Sequence, residues 1–152
     1  CTGEKLKTVW SVLVLKAEHA VRDAQASQAS LNQRLERALL QSEKIDVLLA
    51  DYAAQLSAVQ QRDHSSSEVS NYSHFIIQLQ TLKSRAQREV RQLEIELQLG
   101  RQILAAADRE LLKAEQLCAR AEEKQARERT SREAREFDAQ AIQQHNFRAR
   151  AL

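Results

Sequence analysis

The sequence predicts an all-α protein: two long helices folded into an antiparallel coiled-coil hairpin, with helix two overhanging at the C-terminus. Three observations predict it. The 152 residues include two glycines and no proline, where average usage would supply about ten and about seven. A chain so poor in turn residues cannot reverse direction often enough to build a multi-stranded sheet. Composition agrees, since 43% hydrophobic, 29% charged and only 4% aromatic residues, weighted towards Ala, Leu, Gln, Glu and Arg, suit long helices with a narrow apolar seam better than a broad core. The third observation is a sustained heptad pattern.

In the first half, alternate steps of four and three give Trp10, Val14, Ala17, Val21, Ala24, Gln28, Leu31, Leu35, Ala38, Ser42, Ile45, Leu49, Tyr52, Leu56 and Val59. Only Gln28 and Ser42 are polar. Such spacing keeps one stripe facing a partner over the whole length, which predicts helix one over about residues 5–62. Lys5 and Lys7 before Thr8–Leu15 faintly resemble a secretion signal, but the short apolar stretch merges into the helical pattern and is read as the first turns of that helix. The chain has no methionine, so its first residues are expected to be processed, truncated or added, and Cys1, Thr2 and Gly3 carry no functional weight.

The pattern stops at Arg62-Asp63-His64-Ser65-Ser66-Ser67-Glu68. Ser65 and Glu68 have the spacing of a capping box, so a loop over about 63–66 is followed by helix two over about 67–145. Its seam reads Tyr72, Phe75, Leu79, Leu82, Ala86, Val90, Leu93, Leu97, Gly100, Leu104, Ala107, Leu111, Ala114, Cys118 and Ala121. Two consecutive steps of four, at Leu82, Ala86 and Val90, predict a stutter that locally unwinds the supercoil.

A tight turn brings residues whose numbers add to about 128 face to face, so Val59 lies near Val69, Tyr52 near Phe75 and Trp10 near Cys118. The paired part should be about 80 Å long and the overhang about 30 Å. From Glu122 onward the overhang is polar all round, supported by pairs such as Glu123–Arg127 and Glu128–Arg132, each worth a few tenths of a kcal/mol. There is no internal repeat, and residues 1–152 are predicted to form a single hairpin domain.

Little in the sequence points to catalysis. His19, His64, His74 and His145 are scattered without the spacing of a helical metal site. Neither glycine can form a phosphate loop, and a two-helix rod offers no concave pocket in which a nucleophile and a base could converge. No catalytic residue, cofactor or metal is expected. Gly100 on the seam permits a close approach or a bend. Cys118 falls on the apolar stripe, where it is expected to act as a free thiol and small hydrophobe, which favours a reducing compartment. Twenty-three basic against 21 acidic residues leave a net charge of +2, too small a field to demand a polyanion. No stretch approaches the roughly 20 apolar residues of a membrane span. The aromatics are more telling: Tyr52, Tyr72 and Phe75 gather near the turn, while Phe137 and Phe147 lie on the unpartnered arm, where large rings are candidate anchors for a partner.

Three stretches resemble the type III secretion coiled-coil stalk family, flagellar FliJ and its injectisome counterparts of the YscO/HrpO kind. Leu49-Ala50-Asp51-Tyr52 resembles the family's Leu-x-Asp-Tyr. Asn71-Tyr72-Ser73-His74-Phe75-Ile76, with Leu79 one turn on, resembles its Asn-Tyr-x-x-Phe-Ile, the most specific of the three. Glu136-Phe137-Asp138-Ala139-Gln140-Ala141 resembles its C-terminal Glu-apolar-Asp-Glu-x-Ala, with Ala139 in place of a common acidic residue. The resemblance implies a two-helix coiled coil, similar to the central stalk of rotary ATP synthases. Its free helix ends would enter a hexameric secretion ATPase, and its hairpin surface would contact the cytoplasmic domain of the export gate and escort secretion chaperones. It implies a gate-facing patch of Leu49, Tyr52, Phe75, Leu79, Leu82 and Ala86, an ATPase-facing end of Arg132, Arg135, Phe137 and Asp138, and a cytoplasmic location peripheral to the inner-membrane apparatus.

The leading expectation is therefore a non-enzymatic, monomeric stalk and adaptor with no nucleic-acid partner and no direct membrane insertion. Alternatives from other classes are a homodimeric structural coiled-coil scaffold, which the same heptads would serve and which molar mass would distinguish, and a nucleic-acid-binding helical protein, whose affinity would collapse with salt.

Overall fold

A computed structural model describes residues 9–62 and 65–151. Two helices account for nearly all of them: α1, Val9–Gln60, of 52 residues, and α2, Ser66–Arg150, of 85 residues. They pack against each other as an antiparallel helical hairpin, and there is no strand among the described residues. The expected start of α1 at residue 5 and the turn residues Asp63 and His64 lie outside the described residues. α2 continues past residue 145 because nothing breaks it. Neither glycine nor proline intervenes, and Arg148 and Arg150 in its last turn face the negative end of the helix dipole.

The reversal is built from caps, without a glycine. The Ser65 hydroxyl accepts the Glu68 backbone N–H at 3.3 Å, the N-cap arrangement expected from the Ser-x-x-Glu spacing. At the other side of the turn the Gln61 N–H donates to the Ser57 carbonyl at 3.2 Å. The Arg62 side chain donates to the Ala58 carbonyl at 3.4 Å, placing a cation on the last carbonyls of α1.

The chain divides into two compact units, one of Arg22–Ala105 and one that joins Cys1–Val21 with Ala106–Leu152. In the first, the core consists of Ala24, Ala38, Ile45 and Val59 of α1 and Leu79, Ala86, Leu93 and Leu97 of α2, with Leu93 the most completely enclosed. Alanine supplies much of this core, so the helices meet along a thin line of contact. Three pairs fix the register. Asp46 Oδ1 lies 2.5 Å from Lys83 Nζ, Arg34 Nη1 lies 3.7 Å from Glu96 Oε2, and Leu31 Cδ1 lies over Gly100. All follow the expected facing numbers to within about three residues.

In the second unit Val21, Ala114 and Cys118 are buried, and Trp10, the first residue of the expected seam, is 37% exposed. Cys118, 2% exposed, occupies the expected seam position but corrects the expectation of a free thiol. It is disulfide-bonded. Two cysteines are too few for a disulfide framework, yet that count says nothing of whether a single pair can meet, and the sequence argument for a reducing compartment falls with the thiol.

Along α1 every predicted seam residue from Val14 to Val59 is buried or half-buried. α2 differs in one respect. Its contact line runs Val69, Tyr72, Ile76, Leu79, Lys83, Ala86, Val90, Leu93, Leu97, Gly100 and on to Gln125 in unbroken steps of four and three. The expected stutter is absent. Phe75 and Leu82, assigned to the seam because they are large and apolar, stand one residue beside it, while Ile76 and the charged Lys83 hold the seam positions. A single lysine at such a position is tolerated because its stem packs along the seam while the ammonium reaches the edge, where Asp46 meets it.

Candidate partner-binding surfaces

Near the turn, within the unit of Arg22–Ala105, the Tyr52 ring packs against Phe75 with centroids 4.6 Å apart and planes tilted by 48°. Tyr72 packs against the same Tyr52 ring at 6.1 Å and 53°. Such tilted contacts are the favoured aromatic geometry. The cluster is held on the α1 side by heptad spacing, and on the α2 side by the cap at Ser65, which fixes where the helix begins. Beside it, the Asp51 carboxylate accepts from the Gln55 amide at 3.1 Å, and His74 and Gln78 share a hydrogen bond of 3.3 Å.

The six sequence-predicted patch residues fall into three levels of enclosure. Leu79, 4% exposed, and Ala86 are buried in the seam and hold the helices together. Leu49 and Tyr52 are half-buried. Phe75, 39% exposed, and Leu82, 46% exposed, form the outer layer. Leu48, also exposed, joins them, although its sequence position gave no reason to single it out. Arg34 and Glu96 define one flank of the hairpin, and Leu48 and Leu82 are each two heptads from those residues towards the turn, so they share that flank with Phe75. The signal that could have found Leu48 is the register itself, available only once one facing pair is known.

The second surface is the end of α2. Every described residue from Ala126 to Ala151 is exposed. The seam line itself turns polar here: the positions that continue Cys118, Ala121 and Gln125 are Glu128, Arg132 and Arg135. Arg127, Glu128, Ser131, Arg132 and Arg135 line a shallow depression, and of the expected helix pairs Glu123 and Arg127 are joined as an ion pair. Phe137, 73% exposed, Ile142 and Phe147 leave the helix in directions about 80–140° apart, so the arm has no single apolar face. Asp138 is exposed between them.

No group of His, Cys, Asp or Glu side chains that could hold a metal exists among the described residues, and none of their helices is long and apolar enough to cross a membrane. Over residues 9–150 the chain matches the family described as flagellar FliJ protein. The chain belongs to the FliJ family. The match spans both described helices, the turn between them and the arm, so all the surfaces above lie inside it. No curated protein and no solved structure matches the chain. FliJ-family membership makes this hairpin a component of type III protein export, in a family associated with the export ATPase and gate and known as a structural part of that machinery.

Proposed function

We propose that this FliJ-family chain is a non-enzymatic, monomeric stalk and adaptor that works on the cytoplasmic side of a type III export apparatus, peripheral to the membrane. The exposed end of α2 enters the hexameric secretion ATPase, and the flank near the turn meets the cytoplasmic domain of the export gate and escorts secretion chaperones. The observation that carries the reading is the stretch Ala126–Arg150: an intact helix with no buried residue and with large apolar side chains on several sides. An isolated helix without a packed face is marginal in water. One whose anchors point in several directions suits a partner that surrounds it, as a ring does, better than one that binds along a single face.

Arg132 and Arg135 supply cations for the ring, Phe137 an apolar anchor and Asp138 a carboxylate. At the turn, Phe75 and Leu82, with Leu48, offer the contact layer, with Leu49 and Tyr52 at its edge, while Leu79 and Ala86 shape it from beneath. The test is native mass spectrometry of the purified export ATPase mixed with the full chain or with a chain ending at Gln125. One hairpin per hexamer with the full chain, and none with the shortened one, is the expected result. Equal binding by both would overturn the assignment of the arm, and a hairpin dimer in the absence of the ATPase would favour the homotypic scaffold.

A further inference from the structure

We propose that the ion pair between Asp46 and Lys83 is a register lock, which selects one alignment of the two helices from several that the apolar seam alone would accept.

The seam discriminates weakly between registers. It is built largely of Ala, Leu and Val recurring every heptad, so sliding α2 past α1 by seven residues still meets apolar side chains with apolar side chains. Nor does the turn forbid the slide. In an antiparallel hairpin a shift of seven in the facing numbers moves the point of reversal by half that along the chain and leaves its length unchanged. The turn sequence Gln61–Ser65 contains no glycine or proline, the two residues that most strongly tie a reversal to one place in the chain.

Lys83 breaks the degeneracy. It sits on the seam line, half-buried, with its ammonium 2.5 Å from Asp46. One heptad away from Asp46 on the same edge of α1 are Leu39 and Ala53. A slide in either direction therefore keeps the Lys83 stem on the seam but brings its ammonium to an edge with no carboxylate, so the ion pair that this register alone supplies is lost. Two other contacts agree. Glu96, now 3.7 Å from Arg34, would face Ser27 or Gln41, and the place of Leu31 above Gly100 would pass to Ala24 or Ala38, opening a void. Because Leu48 and Leu82 face each other in this register alone, Lys83 is also the positioning residue that assembles the flank near the turn. That role stands whatever the flank docks.

The test is pulsed electron paramagnetic resonance on the full chain, with nitroxides carried by p-acetylphenylalanine at positions 41 and 89, which leaves Cys118 untouched. The parent chain should give one narrow distance. Lys83→Asp, which sets two carboxylates together, should add a longer component from a slide of about 10 Å, and the double reversal Asp46→Lys with Lys83→Asp should restore the single distance. Lys83→Leu keeps the chain folded in any case, and it should raise the melting temperature while broadening the distribution. A single unchanged distance in both Lys83→Asp and Lys83→Leu would overturn the lock.

Discussion

Leu31 lies directly over Gly100, its Cδ1 3.5 Å from where a β-carbon on residue 100 would stand. That is ordinary van der Waals distance, so the glycine is not required by the close approach of α1. Gly100→Ala should therefore stabilise the hairpin by about 1 kcal/mol through helix propensity. The melting temperature should rise by about 2–4 °C, read by circular dichroism at 222 nm. A fall would mean that the helices are held closer than ordinary contact.

Phe75 and Leu79 are one turn apart on α2 yet differ in enclosure, and they should separate stability from binding. Leu79→Ala empties a buried seam position and should cost about 2–4 kcal/mol. Phe75→Ala loses a partly exposed ring and its contact with Tyr52 and should cost about 1–2 kcal/mol. Urea melts give the ranking. In a pull-down with the export-gate cytoplasmic domain the order should reverse, with Phe75→Ala the more damaging change at temperatures where both variants are folded.

Ending the chain after Gln125 should leave the melting temperature within about 1 °C of the parent, because the removed residues bury nothing in the hairpin and exposed helix ends contribute little. Differential scanning calorimetry checks this. A loss of several degrees would mean that the arm folds back on the hairpin.

Ser65→Ala removes the hydroxyl that caps α2 and should cost about 1 kcal/mol, whereas Ser67→Ala should be nearly neutral. Hydrogen exchange at the Glu68 amide, which donates to the Ser65 hydroxyl, should accelerate in the first variant only.

The seam of α1 was legible residue by residue, because its heptad positions are apolar or small and its flanks mostly are not. The first turns of α2 were less so, for a physical reason. Phe75 and Ile76 are both apolar, and Leu82 is apolar where the next residue, Lys83, is charged, so choosing the larger apolar side chain at each step moved the line one residue sideways and passed over Lys83. Only a facing pair such as Asp46–Lys83 resolves that ambiguity. The same limit applied to the candidate surfaces. The arm was readable because charge periodicity reports a missing partner directly. The layering of Leu79 and Ala86 beneath Phe75 and Leu82, and the presence of Leu48, depend on how two helices rotate against each other, which no single stretch of sequence records. The oxidised state of Cys118 was equally out of reach, since composition does not say where a second sulfur lies.

The change along the seam line of α2, from Cys118 and Ala121 to Glu128, Arg132 and Arg135, works as a stop mark written into the helix. The described start of α1 at Val9 faces α2 within a few residues of that change, so the place where the apolar line ends and the place where its partner helix begins coincide. Beyond it α2 carries a mixed-charge line in place of an apolar one, and a helix so marked offers water, or a partner rich in charge, the face that it offers α1 elsewhere.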